Sequence, residues 1–310
     1  MTANVLFAGR PDAWPVYEPL LKSELARLGV DAKLSNEFAP EEVDYIVFAP
    51  NGPVSDFSPF TRLKAVLSLW AGVEKITPNK TLTTPLTRMV DSGLEQGMTE
   101  WVVGHTLRYH LGMDAHIQGQ NGSWKPKAPP LAKDRHVTVL GLGALGTASA
   151  KALAALGFQV AGWSRSRKEI EGVLCHAGAE GLQASLQRAE IAILLLPDTP
   201  ATENTLNAQT LAVLPKGAKI INPGRGPLID DDALLAALDS GQVGHATLDV
   251  FRVEPLPPEH PYWAHPNVTV TPHIASETRE STAAEVIAEN IRRSEAGEPL
   301  LHLVDRSLGY

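Results

Sequence analysis

Short apolar runs recur along the chain, separated by polar segments and by stretches with helical periodicity. Such dense apolar runs are typical of strands that are buried on both faces of a parallel sheet. Between two of them, residues 15–28 place Val16, Leu20 and Leu25 near helical spacing, which predicts an amphipathic helix. The strands predicted in this way are residues 5–8, 45–48, 65–69, 137–140, 158–163, 191–196, 219–221, 245–250 and 268–270. Their alternation with helices predicts an α/β fold with parallel sheets.

The strand at residues 137–140 leads directly into G-L-G-A-L-G, a complete G-x-G-x-x-G motif over residues 141–146. An alanine-rich helix follows and stops at Gly157, and the next predicted strand comes directly after it. In this context Gly141 allows a tight turn, Gly143 lets the backbone approach a pyrophosphate, and Gly146 lets helix and strand pack closely. The helix N-terminus offers free N–H groups and partial positive charge to phosphates. A plain glycine turn is the alternative, but the flanking elements favour a dinucleotide site.

The end of the second strand indicates which dinucleotide binds. An NAD site usually carries Asp or Glu about 20 residues after the glycines, bonded to the ribose 2′-OH. Here residues 147–168 contain no acidic residue, and the position is occupied by the basic run Ser164, Arg165, Ser166, Arg167 and Lys168. Arginines suit a 2′-phosphate, so we predict NADP(H), with NADPH preferred and NADH as the weaker alternative. The competing interpretation is an ordinary solvated basic loop.

Composition excludes several classes of function. The 310 residues are 44% hydrophobic and 20% charged, as in an ordinary globular protein, and suffice for two domains. A net charge of −8 gives no basic face for nucleic acid, and no apolar run approaches the ~18 residues of a membrane span. The N-terminus lacks the pattern of a signal peptide, and the single Cys175 excludes an intrachain disulfide. We therefore expect a cytoplasmic location.

Four polar residues stand just beyond predicted strands, where ligands of open parallel sheets bind: Arg225, Asp249, Glu254 and His273. Each alone has an ordinary structural explanation, but together they could anchor a 2-oxo acid, stabilise its developing oxyanion and supply a proton. In the first part of the chain, the strand at residues 65–69 runs into a turn at residues 70–73 whose amides could bind an anion, although a plain turn is equally compatible. His105 and His110 are five residues apart and do not share a helix face, so we predict no metal site.

These motifs, in this order, resemble the D-2-hydroxyacid dehydrogenase family. The similarity covers most of the chain: A-G-V at residues 71–73, the glycine motif, P-D-T-P at 197–200, N-x-G-R-G at 222–226, L-D-V-F at 248–251, E-P-L-P at 254–257 and T-P-H-I-A at 271–275. W-S-R-S-R-K at residues 163–168, E-P-L-P-P at 254–258 and the tail V-D-R-S-L-G-Y at 304–310 are more similar to its glyoxylate/hydroxypyruvate reductase A branch. The resemblance therefore implies NADPH-dependent reduction of glyoxylate and hydroxypyruvate to D-2-hydroxy acids, glycolate and D-glycerate.

The resemblance also implies roles for individual residues. Arg225 would hold the substrate carboxylate and polarise the keto oxygen, His273 would donate the proton, and Glu254 would orient the imidazole and keep it charged. The substrate would further contact Trp70, Ala71, Gly72 and Val73. The cofactor would contact the glycine loop and basic turn, at Gly141, Gly143, Ala144, Leu145, Gly146, Ser164, Arg165, Ser166 and Arg167, and residues after later strands, at Leu196, Pro197, Thr202, Pro223, Gly224, Arg225, Asp249, His273 and Ala275.

At the level of architecture, the resemblance implies two Rossmann-like, doubly wound parallel-sheet domains with the active site in the cleft between them. The substrate domain would comprise residues 1–97 and 277–310, and the dinucleotide-binding domain residues 98–276. It also implies a homodimer in which the loop at residues 118–130, with Trp124, crosses to the partner.

Two departures from the family pattern could change the size of the substrate pocket, so the resemblance defines the substrate less closely than it defines the reaction. Trp70 is bulky where a small residue is common, and Pro223 with Gly224 precedes Arg225 where other small or apolar residues are usual. The alternatives are a 2-ketoaldonate or phosphoglycerate-type dehydrogenase and, from another class, a non-enzymatic nucleotide-sensing protein of the same fold.

Overall fold

The computed structural model describes residues 2–309 of the chain. Its strands are β1 Ala3–Ala8, β2 Ala32–Ser35, β3 Tyr45–Phe48, β4 Ala65–Ser68, β5 Leu86–Thr87, β6 His136–Leu140, β7 Gln159–Ser164, β8 Val173–Ala177, β9 Ile191–Leu194, β10 Ala218–Asn222, β11 Val243–Leu248 and β12 Val268–Val270. Its α-helices are α1 Trp14–Arg27, α2 Ser92–Leu111, α3 Met113–Gln118, α4 Ala144–Ala155, α5 Gly178–Gln187, α6 Ala208–Ala212, α7 Asp231–Asp239 and α8 Glu280–Glu295.

The chain divides into two compact units. The first comprises Met1–Leu94 and Thr278–Tyr310, and the second comprises Glu95–Glu277. The boundaries predicted from the sequence lie after residues 97 and 276, and the assignment of substrate binding to the first unit stays a prediction.

The first unit contains a parallel five-stranded sheet in the order β2-β1-β3-β4-β5. Successive residues of β3 point to opposite faces of this sheet. Tyr45 and Val47 pack in a buried cluster with residues of α1 and α8, whereas Ile46 and Phe48 pack in another cluster with Leu82 and other residues of the loops. Both faces are therefore covered, which explains why β3 reads as an unbroken apolar run.

The second unit contains a parallel seven-stranded sheet in the order β12-β11-β10-β9-β6-β7-β8. The strand order reverses between β6 and β9, because chain order runs outward from β6 through β7 to β8 and then resumes at β9. In doubly wound sheets, ligands bind beyond the carboxyl ends of the strands at such a switch point. The glycine motif follows β6 directly, so it lies at this point.

Both sheets confirm the predicted α/β class. Helices α2 and α3 are separate, because Gly112 adopts a left-handed conformation with φ 65° and ends α2. Helix α8 begins at Glu280, because Arg279 is still extended with φ −88° and ψ 126°. Within residues 2–309, the structure contains no helix that is both long and apolar enough to cross a membrane.

Candidate active site

The glycine loop after β6 has the geometry that each glycine was predicted to serve. Gly141 has φ +106°, and a Cβ there would stand 2.4 Å from the carbonyl oxygen of Leu195. A Cβ on Gly146 would stand 1.8 Å from the carbonyl oxygen of Gly141, so the helix packs directly on the turn. A Cβ on Gly143 would meet no described atom within 4 Å. The backbone at Gly143 is thus open to a ligand, while the other two glycines make the turn possible.

Helix α4 begins immediately after this loop, with Gly143 as its N-cap. No side chain from the described part of the chain caps it, so its first N–H groups remain available to an anion. Lys168 donates to the carbonyl oxygen of Leu142 at 2.5 Å, and with Lys151 and Thr147 it lines a depression of about 340 Å³ beside Gly143. Two lysines and a helix N-terminus therefore line one space, together with the acidic side chain of Glu95. The positive groups outnumber the single carboxylate, which suits a pyrophosphate.

The basic turn after β7 is ordered by its own serine. Ser164 is 9% exposed, and its hydroxyl donates to the carbonyl oxygen of Ser166 at 2.8 Å. Arg165, Ser166 and Arg167 are exposed at the surface. Strand β7 thus ends at a serine where an NAD site has an acidic residue. The guanidinium groups of Arg165 and Arg167 follow it directly in the chain.

The imidazole of His273 and the carboxylate of Glu254 form a hydrogen-bonded pair. Nδ1 of His273 lies 2.7 Å from Oε2 of Glu254, and Oε1 of Glu254 accepts the N–H of Phe251 at 2.9 Å. A carboxylate only accepts hydrogen bonds, so Nδ1 carries a proton and Nε2 is the nitrogen left for exchange with a substrate. Both side chains are partly accessible, at 51% and 36%, so a substrate can reach the pair.

His273 adopts an unusual backbone conformation, with φ 55° in the left-handed region. A non-glycine residue there costs on the order of 1 kcal/mol or more and persists only where surrounding contacts enforce it. Asp249, which is 0% exposed, supplies those contacts. Its Oδ1 accepts the Thr271 hydroxyl at 2.5 Å and the Ile274 N–H at 2.9 Å, and its Oδ2 accepts the Ala275 N–H at 2.8 Å.

The loop that carries Arg225 is fixed by Asn222, the last residue of β10. The Asn222 amide donates to the carbonyl oxygen of Arg225 at 2.9 Å and accepts the Gly224 N–H at 3.1 Å. Arg225 itself donates to the carbonyl oxygen of Gly224 at 2.7 Å. A Cβ on Gly226 would stand 2.0 Å from the carbonyl carbon of Phe251. The loop of Arg225 therefore lies in backbone contact with the loop that orients Glu254.

Comparison with known proteins identifies the family of this chain. Residues 105–275 match the NAD binding domain of D-isomer specific 2-hydroxyacid dehydrogenases. The chain belongs to the D-isomer specific 2-hydroxyacid dehydrogenase family. It is 44% identical, over 80% of its length and 82% of the relative's, to glyoxylate/hydroxypyruvate reductase A of Serratia proteamaculans.

Solved structures of this dehydrogenase family cover the whole chain. A D-isomer specific 2-hydroxyacid dehydrogenase from Xanthobacter autotrophicus Py2, in complex with NADPH and MES, is 42% identical with a TM-score of 0.93, over 100% of both chains. The NADPH-dependent glyoxylate/hydroxypyruvate reductase of Sinorhizobium meliloti, in complex with NADP and sulfate, is 35% identical with a TM-score of 0.83, over 100% of this chain and 99% of that one. These similarities confirm the predicted family and fold.

The other predicted cofactor contacts of this dehydrogenase follow β9, β10 and β12 in the second unit. The Thr202 hydroxyl donates to the carbonyl oxygen of Pro197 at 2.6 Å and accepts the Thr199 N–H at 3.0 Å, which fixes the turn after β9. Leu196 and Ala275 are buried, at 7% and 3% exposure. Pro223 and Gly224 are buried as well. Their contact with a cofactor stays a prediction.

The predicted carboxylate-binding turn of the dehydrogenase lies in the first unit, directly after β4. The Trp70 N–H donates to the Ser68 hydroxyl at 3.1 Å. The N–H groups of Ile76 and Thr77 both donate to the carbonyl oxygen of Val73 at 3.0 Å. Val73 is 2% exposed and anchors the turn, whereas Trp70 is 38% exposed. The meeting of this turn with Arg225 in a cleft stays a prediction.

Two residues that support the site, Asn222 and Thr271, were not predicted from the sequence. Asn222 and Thr271 stand inside the N-x-G-R-G and T-P-H-I-A motifs, so the sequence shows their positions but not their hydrogen bonds. Lys168 ends the basic run, but no local pattern reveals that its ammonium reaches back to Leu142. Asp249 was expected to contact the cofactor, and the structure adds its hydrogen bonds to the loop of His273.

Proposed function

We propose that this protein is an NADPH-dependent reductase of small 2-oxo acids, with glyoxylate and hydroxypyruvate as substrates and glycolate and D-glycerate as products. The observation that carries the proposal is the His273–Glu254 pair, because a proton donor locked to a carboxylate is what carbonyl reduction needs. The names of the Serratia and Sinorhizobium relatives support the substrate class.

The described residues fit a nicotinamide dinucleotide. The open backbone at Gly143 and the uncapped start of α4 suit a pyrophosphate. Arg165 and Arg167 would hold a 2′-phosphate, and the absence of a carboxylate at Ser164 removes the repulsion that would exclude it. The reduced cofactor, when bound, supplies the hydride that adds to the carbonyl carbon.

In the proposed reaction, Arg225 binds the substrate carboxylate and stabilises negative charge as it develops on the carbonyl oxygen. His273 donates its Nε2 proton to that oxygen. Glu254 holds the Nδ1 proton, which fixes the tautomer and stabilises the imidazolium before transfer. The amides of residues 71–73 provide a second set of donors for the substrate carboxylate.

A steady-state screen tests this function. Glyoxylate, hydroxypyruvate, pyruvate, phenylpyruvate and 2-ketogluconate are each assayed with NADPH and with NADH. We expect the highest kcat/KM for glyoxylate or hydroxypyruvate with NADPH, and His273→Ala, assayed alongside, controls for contaminating reductases. A preference for 2-ketogluconate would favour the 2-ketoaldonate alternative. NADPH binding without turnover of any 2-oxo acid would favour a nucleotide-sensing protein.

We further propose that the protein is a cytoplasmic homodimer. The segment from the end of α2 to residue 131 exposes large apolar side chains: Leu111 at 38%, Met113 at 38%, Ile117 at 68%, Trp124 at 94% and Leu131 at 64%. A continuous segment of this kind is typical of a surface that a partner covers. The single cysteine agrees with a reducing compartment.

Light scattering on the eluted protein tests the dimer. Ile117→Glu combined with Trp124→Ala should shift the mass from that of two chains to that of one. Val16→Glu is the control, because Val16 is an exposed apolar residue of α1 at 48% exposure. A wild-type protein that elutes as a monomer would contradict the proposal.

A further inference from the structure

The side chain of Arg306 binds a loop of the first unit through several main-chain carbonyl groups. Its Nη2 donates to the carbonyl oxygens of Asn79 at 2.7 Å and Thr77 at 3.1 Å. Its Nε donates to Thr77 at 3.3 Å, and its Nη1 donates to the carbonyl oxygen of Leu82. One guanidinium group thus joins three points of a six-residue segment, residues 77–82, to the C-terminal tail.

The held segment continues directly from the turn predicted to bind the substrate carboxylate. The N–H of Thr77 donates to the carbonyl oxygen of Val73, while its carbonyl oxygen accepts from Arg306. Two hydrogen bonds in series therefore connect the guanidinium to Val73. Apolar packing supports the same connection, since Val73, Leu82 and Val304 belong to one buried cluster.

We propose that Arg306 is a positioning residue for substrate binding, which holds the amides of residues 71–73 in place through Thr77. The inference rests on the proposed function, because it assigns those amides to the substrate carboxylate. Hydrogen bonds from a charged donor are stronger than those between neutral groups, so they limit the mobility of the loop. The planar guanidinium of arginine donates to three separate carbonyl oxygens at once. The compact ammonium group of lysine cannot reproduce this arrangement.

The variants Arg306→Lys and Arg306→Met test this role by two measurements. Hydrogen–deuterium exchange on peptides that cover residues 70–82 reports whether Arg306 holds the loop. Steady-state kinetics with glyoxylate and NADPH report whether the loop serves the substrate. Arg27→Lys is the matched control, because Arg27 is an exposed arginine of the same unit that pairs with Glu24.

We expect faster exchange over residues 70–82 in both Arg306 variants. KM for glyoxylate should rise roughly tenfold, the factor equivalent to ~1.4 kcal/mol, while KM for NADPH and kcat at saturating glyoxylate stay near the wild-type values. A structural defect alone would lower kcat or the amount of folded enzyme instead. Arg306→Lys keeps the charge and preserves a testable enzyme if Arg306→Met does not fold.

The two ways of failing are distinguishable. Unchanged exchange over residues 70–82 would overturn the inference at Arg306 and leave the proposed reaction intact. Faster exchange with an unchanged KM for glyoxylate would also overturn it, because it would remove the turn at residues 71–73 from substrate binding. An equal rise in KM for glyoxylate in Arg27→Lys would assign the effect to general destabilisation.

Discussion

At the scale of single residues, the imidazole of His273 is oriented from two sides. Glu254 holds the ring through Nδ1, and Asp249 holds the backbone on both sides of it through Thr271, Ile274 and Ala275. In the proposed reaction, a ring held in this way would not need to reorganise before it gives up its Nε2 proton. Proton transfer by a positioned side chain of this kind typically contributes about 10²–10⁴-fold to a rate.

Removal of the imidazole should have a large and specific effect on turnover. We expect His273→Ala to lower kcat by about 10²–10⁴, the range for loss of a general acid, with little change in KM for NADPH. His302→Ala is the control, because His302 also has a left-handed backbone, with φ 54°, but lies in the first unit. A near-normal kcat for His273→Ala would remove this residue from proton transfer.

The basic turn after β7 makes a second prediction at this scale. Replacing Arg165 and Arg167 with Gln should raise KM for NADPH at least tenfold more than KM for NADH, because only NADPH carries the 2′-phosphate that two guanidinium groups would bind. Initial rates with each coenzyme at fixed glyoxylate measure the difference. Arg10→Gln, at an exposed arginine of the first unit, provides the control. Equal changes for both coenzymes would refute the assignment to NADP(H).

At the scale of elements, the site depends on loops that lie against each other at the carboxyl ends of β10 and β11. Gly226, after β10, leaves no room for a side chain against the backbone of Phe251, after β11. Arg252 reinforces this contact, since its Nη2 donates to the carbonyl oxygen of Ile229 at 2.8 Å and its Nη1 lies 3.4 Å from Glu203. The relative position of Arg225 and Glu254 is therefore set by backbone packing between two loops.

A methyl group at this contact should separate the two loops. We expect Gly226→Ala to lower kcat/KM for glyoxylate by at least tenfold, because displacement of reacting groups by about 1 Å can cost ~10²-fold. Gly104→Ala is the matched control, since a Cβ there meets no described atom within 4 Å and alanine favours the helix. Wild-type kinetics in Gly226→Ala would show that the loops can adjust without affecting the site.

At the scale of the whole molecule, the sequence predicted the dense apolar strands and missed the short strand β5 and two strands whose side chains are partly exposed. Strand β3 is buried at every position and was predicted at its observed bounds, whereas β2 and β8 are partly exposed edge strands and were missed. The candidate site was predicted as a set of residues because its members stand in recognisable motifs. The hydrogen bonds that hold the site were not predicted, because they join positions that no local pattern connects. Examples are the bond from Arg306 to the Thr77 carbonyl oxygen and the bond from the Ala275 N–H to Asp249.

The burial of His245 should make the stability of the second unit depend on pH. Its Nε2 lies 3.0 Å from the Thr269 hydroxyl, its ring packs 5.4 Å from that of Tyr109, and the side chain is 9% exposed. Burial, assisted by the nearby charges of Arg108 and Lys219, lowers the pKa of His245 to about 4. As the pH falls, His245 therefore binds a proton near pH 6.5 in the unfolded chain but only near pH 4 in the folded protein.

Because the folded pKa is the lower one, the contribution of neutral His245 to stability is fully present above about pH 6.5 and is lost as the pH falls from there toward 4. We expect the free-energy difference between the wild type and His245→Asn, measured by urea unfolding, to shrink by on the order of 2 kcal/mol between pH 7.5 and pH 4.5. His116→Asn, at an exposed histidine of α3, measures the effect of losing an exposed imidazole under the same conditions. If the free-energy difference between the wild type and His245→Asn stays constant across this range, the folded protein protonates His245 as readily as the unfolded chain does. The polar contacts around Thr269 would then accommodate the charge.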